Sequence, residues 1–470
     1  MSTLIKNGTI ITASETFPAD ILIENEKISA IGQNLQHPNA ESMDASGKFI
    51  TPGGVDPHTH FDLPMFDTVS SDDHYTGHKA AAFGGTTTVI DFVPFDFPTF
   101  HESVDIWHKK AQKAAIDYSF HMNLTRFDQA VAAEIPSLHR MGITTLKVFT
   151  AYNGRLRLDD ASIFRAMQIA RDHGMLVMVH AENGDVIEQL VTDALKTGHW
   201  QAEWHALTRP AWGAVEATLR ISALAAQAGA SLYVVHMNAG GEVDMLRYAR
   251  ERKVKVMGET CPQYLFFTID DLRRPDGAKW VCSPPMRTAA DNARLWEGLK
   301  DGTLQTIATD HCAFFFDGTK PIRYEGRQVA IPGKELGKDD FTKIPNGLPG
   351  VQDRLPILWT YGVGAGKISA NQFVALTSTN PAKIFGLYPR KGALIPGADA
   401  DLVLWDAQKK VDYGLAHSHQ RTDYNLYEGW ELTGYPEQVF LRGKLIVDGE
   451  KWLGKSGEGK FLERQTGEVL

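Results

Sequence analysis

Eight short apolar runs, most of them ending on a polar residue, recur through the middle of the chain. They are Gly54-Val-Asp-Pro-His-Thr-His, Thr86-Thr-Thr-Val-Ile-Asp-Phe-Val, Tyr118-Ser-Phe-His-Met-Asn-Leu, Thr145-Leu-Lys-Val-Phe-Thr, Leu176-Val-Met-Val-His, Ser231-Leu-Tyr-Val-Val-His, Val254-Lys-Val-Met-Gly-Glu-Thr and Thr306-Ile-Ala-Thr-Asp-His. Segments between several of them, such as residues 161–173 and 213–228, repeat their apolar positions at helical spacing. Strand-like runs alternating with helices make βα units, and eight such units predict a closed parallel (β/α)8 barrel. An open doubly wound sheet is disfavoured, because polar residues stand at the ends of many runs and not at one switch point.

The two ends of the chain read differently. Leu4-Ile-Lys-Asn-Gly-Thr-Ile-Ile and the stretch from Ile21 alternate like strands around Asn-Gly and Asn-Glu turns. Ala400-Asp-Leu-Val-Leu-Trp and Gln438-Val-Phe-Leu-Arg-Gly-Lys-Leu-Ile-Val-Asp-Gly repeat that strand–turn–strand pattern. We expect residues 1–52 and 393–470 to meet in one small β-sandwich flanking a barrel of residues 53–392.

A length of 470 residues accommodates a barrel of ~250 residues or more plus that second domain. A net charge of -9 leaves no basic footprint for nucleic acid or an anionic membrane. No apolar run reaches the ~18 residues that would suggest a membrane span. The three cysteines, Cys261, Cys282 and Cys312, are too few and too odd in number for a disulfide framework. With no signal-peptide pattern at the start, a soluble cytoplasmic protein is expected.

Candidate chemistry lies where the runs end. His58 and His60 flank one residue, and alternate residues of a strand face the same side, so both imidazoles can reach one ion. His180 ends the fifth run, His236 the sixth, Asp310 stands near the end of the eighth, and Lys147 lies within the fourth. In a barrel these positions share the C-terminal rim, where active sites are built. Any one such histidine would more commonly be a packing residue, but their joint placement points to a metal centre. The remaining histidines, including His311 beside Asp310, are read as structural. Lys147 is the anomaly, because an ammonium repels cations and has no lone pair. A carbamate formed with carbon dioxide would offer two oxygens and a negative charge; a lysine salt-bridged inside the barrel fits the spacing equally well.

Seven motifs then fall in order: Pro52-Gly-Gly-Val-Asp-Pro-His-Thr-His, Lys147-Val-Phe-Thr-Ala-Tyr, Val179-His-Ala-Glu-Asn, Gly258-Glu-Thr-Cys-Pro-Gln-Tyr-Leu, Ser283-Pro-Pro-Met-Arg, Thr309-Asp-His-Cys and Ile344-Pro-Asn-Gly-Leu-Pro-Gly-Val. Together they resemble the dihydropyrimidinase/hydantoinase branch of the amidohydrolase superfamily, over essentially the whole chain. The resemblance implies a homotetrameric enzyme that opens the ring amide of a cyclic ureide, a 5,6-dihydropyrimidine or 5-substituted hydantoin, to an N-carbamoyl amino acid. It implies two zinc ions, one held by His58, His60 and Asp310 and the other by His180 and His236, with carbamylated Lys147 between them. Asp310 would also shuttle the proton from water to the leaving nitrogen. Tyr152 would stabilise the oxyanion; read alone it is a loop aromatic packed on the rim. Ser283 and Asn346 would contact the substrate amide, and Leu63 and Phe66 would face the ring substituent.

Other scaffold-sharing readings are allantoinase, dihydroorotase and a non-catalytic relative of the collapsin-response-mediator type, which lacks the metal ligands. Dihydroorotases carry an arginine two residues after the second histidine of the pair, where this chain has Asp62; a carboxylate there would repel a carboxylated substrate unless it faces away. Some stretches depart from the family pattern: Ala313 in place of a common proline, Phe314-Phe-Phe, residues 317–334, and the loop Leu63-Pro-Met-Phe-Asp-Thr-Val. They bear on substrate preference.

Overall fold

The computed structural model describes residues 2–65 and 67–470. Eight parallel strands follow one another round a barrel: Gly54–Thr59, Thr86–Val93, Asp117–Asn123, Thr145–Phe149, Leu176–His180, Leu232–Val234, Val256–Thr260 and Thr306–Ile307. Each lies in one of the eight apolar runs. Every residue of every one of these strands is buried, which is why they read as nearly continuous apolar runs and not as alternating ones. A parallel bridge between Thr59 and His311, with the His60 amide donating to the His311 carbonyl at 2.8 Å, joins last strand to first. Helices Asp160–Asp172 and Ala211–Ala228 occupy the expected helical stretches.

Val55, Ile90, Phe92, Met178, Tyr233, Val235 and Met257 form one core with Ile384, Phe385 and Leu462. The tail pairs with the third strand, Phe461 bridging Tyr118 and the Leu462 amide donating to the Tyr118 carbonyl at 2.7 Å. Among the described residues, no helix is long and apolar enough to cross a membrane.

Both ends of the chain enter a nine-stranded sheet. Ser2–Ile11, Thr16–Glu24, Lys27–Gly32, Ala40–Asp44 and Phe49–Pro52 come from the start, and Leu402–Tyr413, Trp430–Leu441, Lys444–Asp448 and Lys451–Trp452 from the end. The seam is Phe49–Pro52 against Leu402–Tyr413, antiparallel, with Leu402 opposite Pro52. The hydrogen bonding forms one network that branches at Ser2–Ile11, where Ala40–Asp44 pairs off the main path. The sheet has its own core, including Ile5, Ile21, Ile50, Leu402, Leu404 and Phe440.

A buried ionic knot ties sheet to barrel. The Lys391 ammonium lies 2.6 Å from Asp117 at the start of the third barrel strand, 2.7 Å from Asp401 and 3.0 Å from Asp399. Arg442, on the turn after Trp430–Leu441, also reaches Asp117.

Residues 317–334 carry a small hairpin, Ile322–Tyr324 against Arg327–Val329. Their base is held by Asp423, which accepts from the Phe316 and Asp317 amides, and by Glu335, which accepts from Gly318 and Gly333. Phe314 and Phe315, just before the hairpin, are fully buried.

Candidate active site

Beyond two of the barrel strands the backbone is unusual. His236 and Asp310 adopt φ values of 40° and 54°. This left-handed region suits histidine and aspartate better than most residues. Both side chains come to stand at the rim. Tyr152 (φ 68°) and Asp62 (φ 53°) share the trait. Such a cluster of strained positions is common where function fixes side-chain direction.

The Asp310 carboxylate is a meeting point. Its Oδ1 lies 3.0 Å from His60 Nε2 and 3.1 Å from His58 Nε2. His58 Nδ1, on the opposite edge of its ring, contacts Glu259 Oε1. Across the rim, His180 Nδ1 lies 3.0 Å from His236 Nε2, and His180 Nε2 lies 2.7 Å from Glu182 Oε2. The His58 and His236 rings are 5.4 Å apart and join the two halves. Lys147 is buried, with Nζ 4.9 Å from the Phe92 ring centre and 5.2 Å from that of Phe149.

The donor set fits metal. His58, His236 and Asp310 each offer a ligand atom within 4.8 Å of the other two, a group that draws on both ligand sets implied by the resemblance. His236 Nδ1 is buried with no hydrogen-bond partner among the described residues. Burial disfavours a charged His58, yet Glu259 and Asp310 outweigh it and lift the ring to about 9. That position between two carboxylates thus favours a positive charge. Burial holds His60 down to about 4 and His236 well below the usual range, with Lys147 adding to the effect. Both nitrogens are therefore lone-pair donors at neutral pH. Burial opposes ionisation of Asp310, but His58 and the hydrogen bonds from His58 and His60 hold its carboxyl far below the ordinary value. Burial also draws Lys147 down to about 8 despite the nearby acids Asp310 and Glu259; the free amine, the form that reacts with carbon dioxide, is then accessible near neutrality.

The other candidates line the loops above. The Tyr152 ring lies 5.1 Å from that of His180, and Ser283 stands beside its hydroxyl. Burial and then Glu182 push this phenol well above its usual range, so it stays a proton donor. Ser283 Oγ is also 3.0 Å from His205 Nε2. Asn346, half-buried, lies in a loop drawn against the Ser283 loop by the Gly347 amide, which donates to the Val281 carbonyl at 3.2 Å. Leu63 is half-buried beside a two-stranded ribbon, Pro64–Met65 with Thr68–Val69, and its amide donates to Ser70 Oγ at 2.9 Å. These bonds run within its own ribbon and not to the metal-type cluster. Phe66 lies outside the described residues.

Asp62 is engaged by neighbouring groups of the protein. Its carboxylate lies 3.3 Å from Lys113 Nζ and accepts from the His74 amide, and its carbonyl accepts from Lys110. The repulsion argued from its charge is therefore not supported. His311 bears out its structural reading: its Nδ1 accepts from the Gly350 and Val351 amides, and its Nε2 faces Asp72 at 3.2 Å.

Two acids escaped the sequence reading. Glu259 closes the seventh strand and touches His58, the His236 amide (3.1 Å) and the Tyr233 hydroxyl (2.9 Å). Glu182 follows His180 at a spacing of two. The signal was present in both cases, since each stands at or beside a strand end like the histidines.

The chain matches the Amidohydrolase family over residues 49–446. It is 45% identical over 469 residues to a D-hydantoinase of Geobacillus stearothermophilus, covering 99% of this chain and 97% of that protein. A D-phenylhydantoinase of Escherichia coli is 37% identical over 471 residues, covering 99% of this chain and 98% of that protein. Among solved structures, a dihydropyrimidinase from Brevibacillus agri superposes with a TM-score of 0.95 at 45% identity over the whole of both chains. An L-hydantoinase from Arthrobacter aurescens superposes with a TM-score of 0.87 at 29% identity over 98% of this chain and 99% of that one. A likeness that runs the length of the chain, in sequence and in fold alike, makes it a member of the amidohydrolase family and, within it, of the dihydropyrimidinase/D-hydantoinase group of cyclic amidohydrolases.

Proposed function

We propose that the chain hydrolyses the ring amide of a 5,6-dihydropyrimidine or a 5-substituted hydantoin to an N-carbamoyl amino acid. The reading rests on one observation above all: His58, His236 and the ionised Asp310 carboxylate bring ligand atoms within 4.8 Å of one another at the barrel rim, and His236 Nδ1 is buried with no hydrogen-bond partner among the described residues. His58, His60 and Asp310 would hold one zinc ion, His180 and His236 a second, and carbamylated Lys147 would lie between them. Bound there, the ions would supply Lewis acidity and lower the pKa of water toward neutrality.

The protein's own groups supply the rest. Water adds its oxygen to a ring carbonyl carbon, the ring C–N bond breaks, and one proton must travel from water to the departing nitrogen. Asp310 is ionised well below neutrality, so it is free to take that proton and pass it on. Tyr152 keeps its proton and donates a hydrogen bond to the carbonyl oxygen as that atom gains charge. Ser283 and Asn346 orient the amide, and Leu63 meets the substituent, a role that the resemblance implies for Phe66 as well. Exposed Trp212 (80%) and Leu219 (40%) lie seven residues apart on helix Ala211–Ala228 and fit a face buried in a homotetramer. Three buried free cysteines are consistent with a reducing, cytoplasmic setting.

The test is a rate comparison on dihydrouracil, hydantoin, 5-phenylhydantoin, allantoin and dihydroorotate, with metal analysis of wild type and Lys147→Ala. The first three should be opened, two zinc ions should bind per subunit, and the variant should lose metal and turnover together. Fastest turnover of allantoin or dihydroorotate would overturn the substrate class. A Lys147→Ala protein with two zinc ions and normal rate would overturn the carbamate.

A further inference from the structure

Lys334 is only 1% exposed, yet among the described residues no acid pairs with it. Its ammonium donates instead to two backbone carbonyls, Val281 at 2.9 Å and Pro345 at 3.1 Å. Those carbonyls stand two residues before Ser283 and one before Asn346. The Val281 carbonyl also receives the Gly347 amide at 3.2 Å. One oxygen is therefore shared by the loop of Ser283, the loop of Asn346 and this lysine. On its N-terminal side Lys334 is anchored to the segment that shapes the substituent side, where the Thr68 hydroxyl donates to the Pro332 carbonyl and the Lys334 amide to the Phe315 carbonyl at 2.7 Å. Outside the lysine lies a cavity of about 800 Å³ bordered by Phe316, Lys334 and Ile344, so tight packing does not brace the loops from that side.

Burying an unpaired ammonium is unfavourable, and here burial draws the group down to about 7. A methionine would fill the same space without that penalty. A buried lysine of this kind is best explained by what its donors hold in register. Resting on the proposed function, we infer that Lys334 is a positioning residue that clamps the Ser283 and Asn346 loops at the spacing needed to grip the substrate amide. The clamp also links that spacing to the ribbon beside Leu63, so the grip on the amide and the fit of the ring substituent are set by one connected segment.

The prediction separates stability from function. Lys334→Met should keep or raise Tm and keep wild-type zinc content, while kcat/KM for hydantoin and 5-phenylhydantoin falls at least ~10-fold, mainly through KM, since ground-state grip is what is lost. Lys334→Gln, which retains a donor, should fall between. Amide exchange measured without substrate gives an independent readout: the Gly347 amide should exchange at least ~10-fold faster in Lys334→Met, through local opening. An unchanged kcat/KM, or a loss that merely follows a lowered Tm, would overturn the inference. If the wild-type enzyme opens neither ring, the functional reading fails by itself, and unchanged Gly347 exchange would then dispose of the clamp as well.

Discussion

Replacing Glu259 by glutamine tests whether the acid behind His58 governs metal affinity. Glu259 is fully buried. Its Oε1 receives His58 Nδ1 and the His236 amide, and its Oε2 receives the Tyr233 hydroxyl. Glutamine is nearly isosteric. With its carbonyl oxygen in the place of Oε1 it keeps the first two contacts, and its NH2 can donate to the Tyr233 oxygen. What disappears is the negative charge. A histidine whose outer nitrogen faces a carboxylate is the more basic ligand at its other nitrogen, and losing such a partner typically lowers metal affinity ~10–100-fold. At ~1.4 kcal/mol per decade that is roughly 1.4–2.8 kcal/mol. Competition for zinc against a chelator of known affinity reads the change directly, and kcat at saturating zinc should fall less than the affinity does. Zinc affinity within twofold of wild type would refute the reasoning and reduce Glu259 to a structural acceptor for His236 and Tyr233.

Tyr152→Phe should lower kcat ~10²–10³-fold with zinc content unchanged, because the hydroxyl acts on charge that develops only during reaction; a change in KM alone would assign it to binding. Lys391→Met removes the one ammonium shared by Asp117, Asp399 and Asp401. Stranding buried charge in this way should destabilise the protein by ~3–5 kcal/mol in urea unfolding, and a loss below ~1 kcal/mol would refute the knot. Acid should attack the same place. Burial opposes ionisation of Asp399, but Lys391, with help from Lys27, holds it at about 2 against an ordinary 3.8. A carboxyl depressed in the folded state contributes stability above its unfolded pKa and loses it as pH falls toward the folded one. Roughly 2 kcal/mol should therefore vanish between about pH 4 and pH 2 at ~1.4 kcal/mol per unit. Asp399→Asn should flatten that part of the acid-unfolding curve, and an unchanged curve would refute it.

The barrel was legible because its strands are buried on both faces, so each stands out as an apolar run with turn residues on either side. The His58/His60 pair was legible because a period of two is visible in the sequence. The left-handed backbone beyond the sixth and eighth strands was not legible. Whether His236 and Asp310 stay extended or turn left-handed depends on tertiary contacts, not on the residues themselves. Glu259 and Glu182 went unread because an acid beside a strand end looks like any solvated one until the histidine it faces is known. The same applies to Lys334, since a lysine in a long loop reads as exposed. The ends of the chain showed strands but not partners, so the branched hydrogen-bonded network could not be read from them.

Asp62 shows how the contacts of a residue can change the reason behind an expectation drawn from its charge. Its position after the histidine pair suggested that its charge would repel a carboxylated ring such as dihydroorotate. The structure removes the repulsion, because Lys113 lies 3.3 Å from the carboxylate and Lys110 binds the Asp62 carbonyl. What remains is the lack of a free guanidinium at that position to pair with a substrate carboxylate. Two guanidiniums on the Tyr152 side of the site already face groups of the protein. Arg287 faces Glu182 at 4.0 Å, and Arg209 donates to the His205 carbonyl at 3.0 Å while sensing the Glu182 charge. A substrate carboxylate would have to displace Glu182, which already serves His180. Dihydroorotate should therefore be opened at least ~10-fold more slowly than dihydrouracil, since a desolvated charge without a partner is unfavourable. Asp62→Ala should not relieve this, and because it removes one of the two acids at Lys113, leaving Asp73 at 3.2 Å, it should instead lower stability slightly. The assay is the ratio of kcat/KM for the two rings in wild type and in Asp62→Ala. A ratio that rises tenfold in the variant would restore direct repulsion by Asp62, and a wild-type ratio near one would show that the pocket accepts a carboxylate by some other group.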